Sequence, residues 1–338
     1  MPDRYRQIID VLSRCRRVLV TTHVRPDGDA LGTVAAMVMG LRKAGVASEV
    51  LLLSGLPRKY AFIFEENSIP HHEVDGPELV EQTAQRPFSF EGYEAIVVMD
   101  TGTWSQLPGL RDKVMSLAVP KLVIDHHLTQ EDWADVKLVV TEAAAAGEIT
   151  AELLTQWDIP IDRPIATALF LAIASDTGWF QFSNTRPYTM RLAAMLMEAD
   201  VDTDRMYQLL YQNERAERVA LQSRAMQSLE LLEEGRLAVM RVTQKDFTDT
   251  RAGVADTENL INLPLQIRTV EVSILIVEPG DTGPVRVSLR SKGQVDVAKF
   301  AEKFGGGGHA RASGLKLETS FQEAHDQVVA AMRQTIQE

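Results

Sequence analysis

The sequence predicts an α/β protein, and three observations lead there. Short apolar strands alternate with helical periodicity through the N-terminal half, the order of βαβ units and hence of parallel strand pairing. Acidic and imidazole side chains gather at the ends of those strands, where open parallel sheets bind their ligands. Beyond residue 235 the pattern changes to strands separated mostly by short turns, and no internal repeat is found. The expected architecture is a Rossmann-like, mostly parallel sheet flanked by helices, then a helical connector, then a smaller C-terminal α/β domain. The site is expected in the cleft between the domains.

Taken in order, Arg4 to Arg16 carries Ile8, Ile9, Val11 and Leu12 at roughly helical spacing, which predicts an amphipathic helix. Val18-Leu19-Val20 reads as a buried strand leading into Thr21 to Gly32, T-T-H-V-R-P-D-G-D-A-L-G. From Ala30 to Ala44, Leu31, Val34, Met37, Val38 and Leu41 keep helical spacing, with Gly45 as the stop. Residues 48–53 follow as a second strand. Ala95 to Met99 predicts a third strand ending at Asp100, Lys121 to Ile124 a fourth ending at Asp125-His126-His127, and Val136 to Val140 a further one. His71 and His72 fall in an exposed turn. Helices are expected from Ala146 to Gln156 and from Ala166 to Ala174, the second ending at Ser175-Asp176-Thr177-Gly178.

Residues 186–234 are helical and charged, so the domains are read as 1–185, a connector at 186–234, and 235–338. In the last, strands are expected at Leu237 to Val242, Val270 to Val277 and Val285 to Leu289, with turns such as Glu278-Pro279-Gly280-Asp281. A helix from Val295 to Phe304 runs into Gly305-Gly306-Gly307-Gly308-His309, followed by a strand at Leu315 to Leu317 and a helix after Ser320.

A chain of 338 residues is long enough for two domains with sizeable cores. Its net charge of -12 argues against a long duplex nucleic acid as partner, which needs a basic face. Short anionic substrates stay open, because metals or local arginines can supply the positive field. No stretch approaches the ~20 apolar residues that span a bilayer, and Arg14, Arg16 and Arg17 break the one early apolar run, so no membrane partner is expected. The single cysteine, Cys15, read as a half-buried helix residue, excludes an internal disulfide framework and fits the cytoplasm. A homodimer is left open.

The polar groups converge. His23, Asp27 and Asp29 follow the first strand, Asp100 the third, Asp125, His126 and His127 the fourth, and Asp176 a buried helix. An acid so placed can simply cap a helix, and for Asp29 alone that reading is the simpler one. It leaves His23 and Asp27 unexplained. Carboxylates with a minority of imidazoles and no thiolate suit cations such as Mn²⁺ better than a Cys-bound zinc. Six such ligands exceed what one catalytic ion needs and fit two divalent ions about 3.5–4 Å apart that share a bridging carboxylate and hydroxide. Phosphoester hydrolysis is the natural chemistry of such a pair.

These residues resemble a known family. D-H-H at 125–127, with T-H-V-R-P-D-G-D upstream and S-D-T-G downstream, is similar to the DHH phosphoesterase superfamily. G-G-G-G-H-A-R-A-S-G resembles the C-terminal domain associated with its smaller members. All the metal-site motifs are present without a substitution. The nearest branch is that of cytosolic bacterial enzymes that degrade very short RNA and remove the 3′-phosphate of adenosine 3′,5′-bisphosphate. The resemblance implies that His23, Asp27 and Asp100 hold one ion. Asp29, Asp100, His126 and Asp176 would hold the other, with Asp100 as the bridge. It implies that His127 faces the substrate phosphate and leaving oxygen, and that Asp125 orients the adjacent imidazoles.

The C-terminal domain is expected to grip the rest of the substrate. Gly305, Gly306, Gly307 and Gly308 can present backbone N–H groups to an anion, beside His309 and Arg311. Taken alone, four glycines read equally well as a hinge. Arg290, Ser291 and Lys292 offer a second anchor, since a planar guanidinium suits phosphate, and Asn262 matches a segment that precedes a substrate-facing strand in the family. The expected substrates are short single-stranded RNA of two to about five nucleotides and 3′-phosphorylated adenosine nucleotides. The competing enzymes are an inorganic pyrophosphatase of the same superfamily, whose lysine- and arginine-rich signature is not found here, and a phosphodiesterase acting on linear dinucleotides. A catalytically silent nucleotide-binding protein is the competitor from another class, since fold alone does not establish activity.

Overall fold

The structure is a computed structural model that describes residues 2–74, 88–280 and 283–337. It divides into two compact units, Met1–Asn213 and Glu214–Glu338.

In the first unit the elements run α1 (Pro2–Leu12), β1 (Arg17–Thr22), α2 (Gly28–Lys43), β2 (Ala47–Leu52), α3 (Ala61–Glu66) and β3 (His71–Glu73). They continue as β4 (Ala95–Met99), α4 (Arg111–Ser116), β5 (Lys121–Asp125), β6 (Val136–Val139), α5 (Ala146–Gln156), α6 (Arg163–Asp176), α7 (Pro187–Glu198) and α8 (Thr203–Tyr211). The sheet order is β3-β2-β1-β4-β5-β6, with every described pairing parallel. The sheet is covered on both faces, so its inner strands β1, β4 and β5 carry continuous apolar runs. Val18, Val20, Val97 and Met99 join one core with α2, α5 and α6, while Leu19, Ile96, Val98 and Val123 join another with Leu110 and Val114.

The strand order reverses between β1 and β4. That switch point is where an open α/β sheet leaves a crevice beyond its carboxyl ends.

Helix α2 is the packing centre. Gly28 to Leu41 are all buried, Asp27 caps its first turn by accepting from Ala30 N at 3.1 Å, and Arg42 and Lys43 suit its C-terminal end. Small residues let α2 and α6 meet closely: a methyl at Gly32 would collide with the backbone of Ala168 and Ala172, and one at Gly28 with Ser175. The N-terminus of α2 and the C-terminus of α6 thereby lie side by side.

Three expectations change here. His71 and His72 are not in a turn but in β3, an edge strand parallel to β2, where His72 Nε2 sits 2.7 Å from Glu49 Oε2. A strand with a polar sequence and one neighbour has no apolar alternation to reveal it. Asp100 therefore ends the fourth strand rather than the third. Cys15 is partly buried but lies beyond α1, which ends at Leu12. Among the described residues no helix is long and apolar enough to cross a membrane.

The second unit comprises α9 (Ala216–Gln227), β7 (Glu230–Leu232), β8 (Leu237–Val242), α10 (Gln244–Thr250), β9 (Val272–Val277) and β10 (Val285–Ser291). After these come α11 (Val297–Glu302), β11 (Gly307–His309), β12 (Ala312–Leu317) and α12 (Phe321–Gln337). Its sheet runs β11-β12-β10-β9-β8-β7 and is antiparallel except between β8 and β9. That parallel pair is joined not by a short turn but by α10 and two 3₁₀ segments, Val254–Thr257 and Leu260–Gln266. Asp281 of the expected Glu278–Asp281 turn lies outside the described residues.

The stretch 186–234 splits between the units. Helix α7 places Leu192, Ala193 and Leu196 in the core of the first unit. Helix α9 packs Leu221 and Ala225 against Met240, Val242 and Leu275 of the second sheet.

Candidate metal centre

Four chain segments meet at the switch point of the first sheet. After β1 the chain turns through Arg25 in the left-handed region (φ 54°) and enters α2 at Asp27. His23 turns Nδ1 to Val24 O at 3.0 Å, leaving Nε2 to face Asp100 Oδ2 at 3.5 Å and Asp27 Oδ1 at 4.0 Å. Asp100 itself is left-handed (φ 60°), a conformation costing on the order of 1–3 kcal/mol in a residue with a side chain. That strain is concentrated where the carboxylate must turn into the crevice.

Asp29 is a cap, though not of its own helix. Its Oδ2 accepts from Ala146 N at 2.7 Å and its Oδ1 from Gly147 N at 3.0 Å, both in the first turn of α5, and Thr33 Oγ1 donates to Oδ1 at 2.9 Å. Asp29 Oδ2 also lies 3.8 Å from His126 Nε2, which stands 3.4 Å from Asp100 Oδ1 and 3.6 Å from Asp176 Oδ2. Asp176 closes the group from the last turn of α6.

Asp125, fully buried at the end of β5, accepts on Oδ1 from His126 N at 2.8 Å, His127 N at 3.2 Å and His127 Nδ1 at 2.8 Å. Gln130 donates to Oδ2. His127 is half-exposed, and among the described residues its Nε2 has no hydrogen-bond partner.

Among the described residues, donor atoms thus gather in three sets: His23, Asp27 and Asp100; Asp29, His126 and Asp176; and Asp100, His126 and His127. Burial opposes charge on His23 and His126, yet the Asp100 carboxylate beside both rings and the other acids around them push them up to about 9 and about 10. His127 is raised by its bond to Asp125. Burial pushes Asp100 up, but His126 and His23 outweigh it and hold it below the ordinary carboxylate range. Asp29 and Asp176 are raised, first by burial; Asp100 adds to both.

Three buried or half-buried acids around two imidazoles are an environment that a cation would relieve. One atom makes the point: Asp100 Oδ1 is buried and has no hydrogen-bond partner. An acceptor left this way costs ~1–3 kcal/mol unless something fills its lone pairs. A divalent ion fits the donor set, which is all carboxylate and imidazole, and Asp100 belongs to two of the three sets.

A cavity of 620 Å³ opens here, within the roughly 300–1,000 Å³ range of small-molecule sites, and is lined by His23, Asp27, Asp100, His127 and Asp176. Thr101, Thr103, Ser105, Gln106, Leu128 and Thr129 complete the wall. These hydroxyls and Gln130 were not singled out from the sequence. Their only signal there is adjacency to Asp100 and to the D-H-H segment.

The residues expected to grip substrate gather at one end of the second sheet. Register places Arg290 opposite Ala312 and His309 opposite Ala312, and Ser291 N donates to Arg311 O at 3.1 Å. Arg311 Nη1 lies 3.4 Å from Ser291 Oγ. Among the described residues Arg290, Arg311 and Lys292 have no acidic partner within salt-bridge distance. Lys292 is otherwise engaged, donating to Leu265 O and Ile267 O at 2.9 and 2.7 Å. Asn262 is exposed in a 3₁₀ segment, and its side chain donates to Asn259 Oδ1 at 3.3 Å.

The glycine run is neither a hinge nor four free donors. Gly305 (φ 72°) and Gly306 donate to Glu302 O and Ala301 O at 3.0 and 2.9 Å, ending α11 in a Schellman pattern. Gly307, Gly308 and His309 then form β11. A side chain at Gly306 would strike Gly314 and Leu315.

Comparison with known proteins gives consistent relatives. Residues 17–173 match the DHH family, N-terminal domain, and residues 235–338 match the DHHA1 domain. The chain is 27% identical over 342 residues to the bifunctional oligoribonuclease and PAP phosphatase NrnA of Thermus thermophilus, covering 99% of this chain and 95% of that one. It is 24% identical over 331 residues to the protein of that name from Bacillus subtilis, covering 96% of each. Among solved structures, an exopolyphosphatase-related protein from Bacteroides fragilis superposes with a TM-score of 0.79 at 20% identity, over 100% of this chain and 96% of that one. Exonuclease RecJ bound to manganese gives 0.55 at 15% identity, over 98% and 94%. The two family models match in this order and together span most of the chain, which makes it a member of the DHH family of phosphoesterases that carries a DHHA1 domain.

Proposed function

We propose that this chain hydrolyses short oligoribonucleotides, from dinucleotides to about pentanucleotides, and removes the 3′-phosphate of adenosine 3′,5′-bisphosphate, using two Mn²⁺ ions in the cytoplasm. The observation that carries the two-ion reading is Asp100: a buried carboxylate with an unpartnered oxygen, shared between donor sets on either side of it. The substrate class rests on the NrnA-named relatives.

His23, Asp27 and Asp100 would hold one ion, and Asp29, Asp100, His126 and Asp176 the other. Bound there, the pair supplies an acidified water and neutralises charge developing on the phosphoryl group. The chain's own residues do the rest. Asp125 fixes the His127 ring by accepting from Nδ1 and favours its protonated form, so Nε2–H is free to bond a phosphate oxygen and to give its proton to the leaving oxygen. Gln130 and the two backbone N–H groups hold Asp125 in turn. Arg290, Ser291, His309 and Arg311 supply a further anion-binding surface, with Gly306, Gly307 and Gly308 shaping its edge. Lys292 and Asn262 have a smaller part, given the contacts that already engage them.

The test is a timed Mn²⁺ assay of four substrates side by side: a 5′-labelled RNA dinucleotide, a 24-mer, adenosine 3′,5′-bisphosphate and pyrophosphate. Fast turnover of the dinucleotide and the bisphosphate is expected, with slow turnover of the 24-mer. Pyrophosphate as the best substrate would replace this reading with a pyrophosphatase, and no hydrolysis of any would favour a silent binding protein.

A further inference from the structure

Three of the candidate ligands depend on one turn. His126 fixes its ring by pointing Nδ1 at Ala143 O at 3.2 Å. Asp29 is oriented by Ala146 N and Gly147 N. Asp176 is reached through Asn184, whose Nδ2 donates both to Ala144 O at 3.0 Å and to Asp176 O at 3.1 Å. The segment 143–147 therefore bonds His126 and Asp29 directly, and Asn184 links it to the backbone carbonyl of Asp176. By contrast, Asp27 is held by its own helix and His23 by the carbonyl of the next residue.

The turn is itself clamped. Glu148, 2% exposed, accepts on Oε2 from Ala144 N at 3.1 Å and from Arg186 Nη2 at 2.6 Å, and Thr189 donates to Oε1. Back-bonding from the first turn of a helix to the chain before it is a familiar capping device, and it accounts for the Ala144 contact. It does not account for Arg186 and Thr189, which come from the start of α7, or for Asn184 just before it. A buried carboxylate paired with a half-exposed guanidinium adds little net stability after desolvation. Its evident effect is to fix the register of the 143–147 turn against α7.

We propose that Asn184 and the Glu148–Arg186 pair are positioning residues that set one ion position through the 143–147 turn and leave the other untouched. This rests on the two-ion reading above. The contacts that orient a metal ligand are worth about 10–100-fold in metal affinity when lost, and here one set of ligands loses its frame while the other keeps its own.

The experiment is a titration of the metal-free full chain with Mn²⁺ alone, followed by calorimetry and by the electron spin resonance signal of the free ion. Wild type is expected to take up two ions. In Asn184→Ala one affinity falls about 10–100-fold and the other is unchanged, and raising Mn²⁺ restores kcat on a dinucleotide. Glu148→Gln should act the same way; should it fail to fold, Asn184→Ala, which empties only a part-buried loop position, still decides. Two unchanged affinities in Asn184→Ala, or an equal fall in both, overturn the positioning role, because a merely structural defect has no reason to single out one ion. A wild-type chain that binds a single ion overturns the two-ion reading itself.

Discussion

The two units gather opposite charges by opposite means. In the first, acids and imidazoles from β1, β4, β5 and α6 are drawn into a largely buried cluster in which carboxylates outnumber their cationic neighbours. In the second, Arg290 on β10, His309 on β11 and Arg311 in the turn between β11 and β12 stay in contact with solvent. Burial makes the first cluster expensive when nothing sits in it, whereas water already stabilises the second. The metal centre should therefore respond strongly to any change in charge, and the cationic end weakly and in proportion to salt.

The sharpest way to break that contrast is at Asp100. Asp100→Ala is expected to lower kcat on an RNA dinucleotide on the order of 10³-fold or more, the scale of losing a group that stabilises transition-state charge. Steady-state hydrolysis with saturating Mn²⁺ measures it. A residual rate near wild type would remove Asp100 from the bridging role. His127→Ala follows at about 10²–10⁴-fold if His127 delivers a proton, with Mn²⁺ affinity little changed; a loss of metal instead would make it a ligand.

Acidity separates the metal-free and loaded states. His23 and His126 titrate at about 9 and about 10 in the folded chain against an ordinary 6.5, so their protonated forms stabilise the metal-free protein fully below pH 6.5. That contribution is lost as pH rises through 9 and 10. Mn²⁺ needs the neutral rings, so its affinity rises across the same window and its binding releases protons. The difference in Tm between samples with Mn²⁺ and with chelator should widen from pH 6.5 towards 9; a constant gap would mean the imidazoles are not ligands. Smallest is the cationic end. Arg311→Ala is expected to raise KM for a dinucleotide about tenfold, the value of one charge-assisted hydrogen bond. Mn²⁺ affinity should not move, and the effect should shrink at high salt. An altered Mn²⁺ isotherm in this variant would show that the two clusters are not independent.

Much of this was legible in the sequence where burial on both faces leaves continuous apolar strands. Ala95–Met99 and Ala146–Gln156 have the expected bounds, and the acids at the strand ends are brought together at one crevice. What could not be read is what depends on long-range partners. Asp29 is separated by 117 residues from the amide of Ala146 that it caps, and no local pattern reports such a bond. Strand β3 lacks alternation because an edge strand with a polar sequence buries neither face. Gly305 and Gly306 look like a hinge or an anion nest until the carbonyls of α11 are seen to use their N–H groups.

Gly32 carries a last consequence. Its missing side chain lets α2 lie against Ala168 and Ala172 of α6, and those two helices carry Asp29 at one end and Asp176 at the other. The separation of these two carboxylates is thus gauged by a helix–helix contact that touches neither of them. Widening that contact by one methyl is expected to move the two carboxylates apart, so the fit of this set to an ion's radius would depend on the hydrophobic core as well as on the donor atoms.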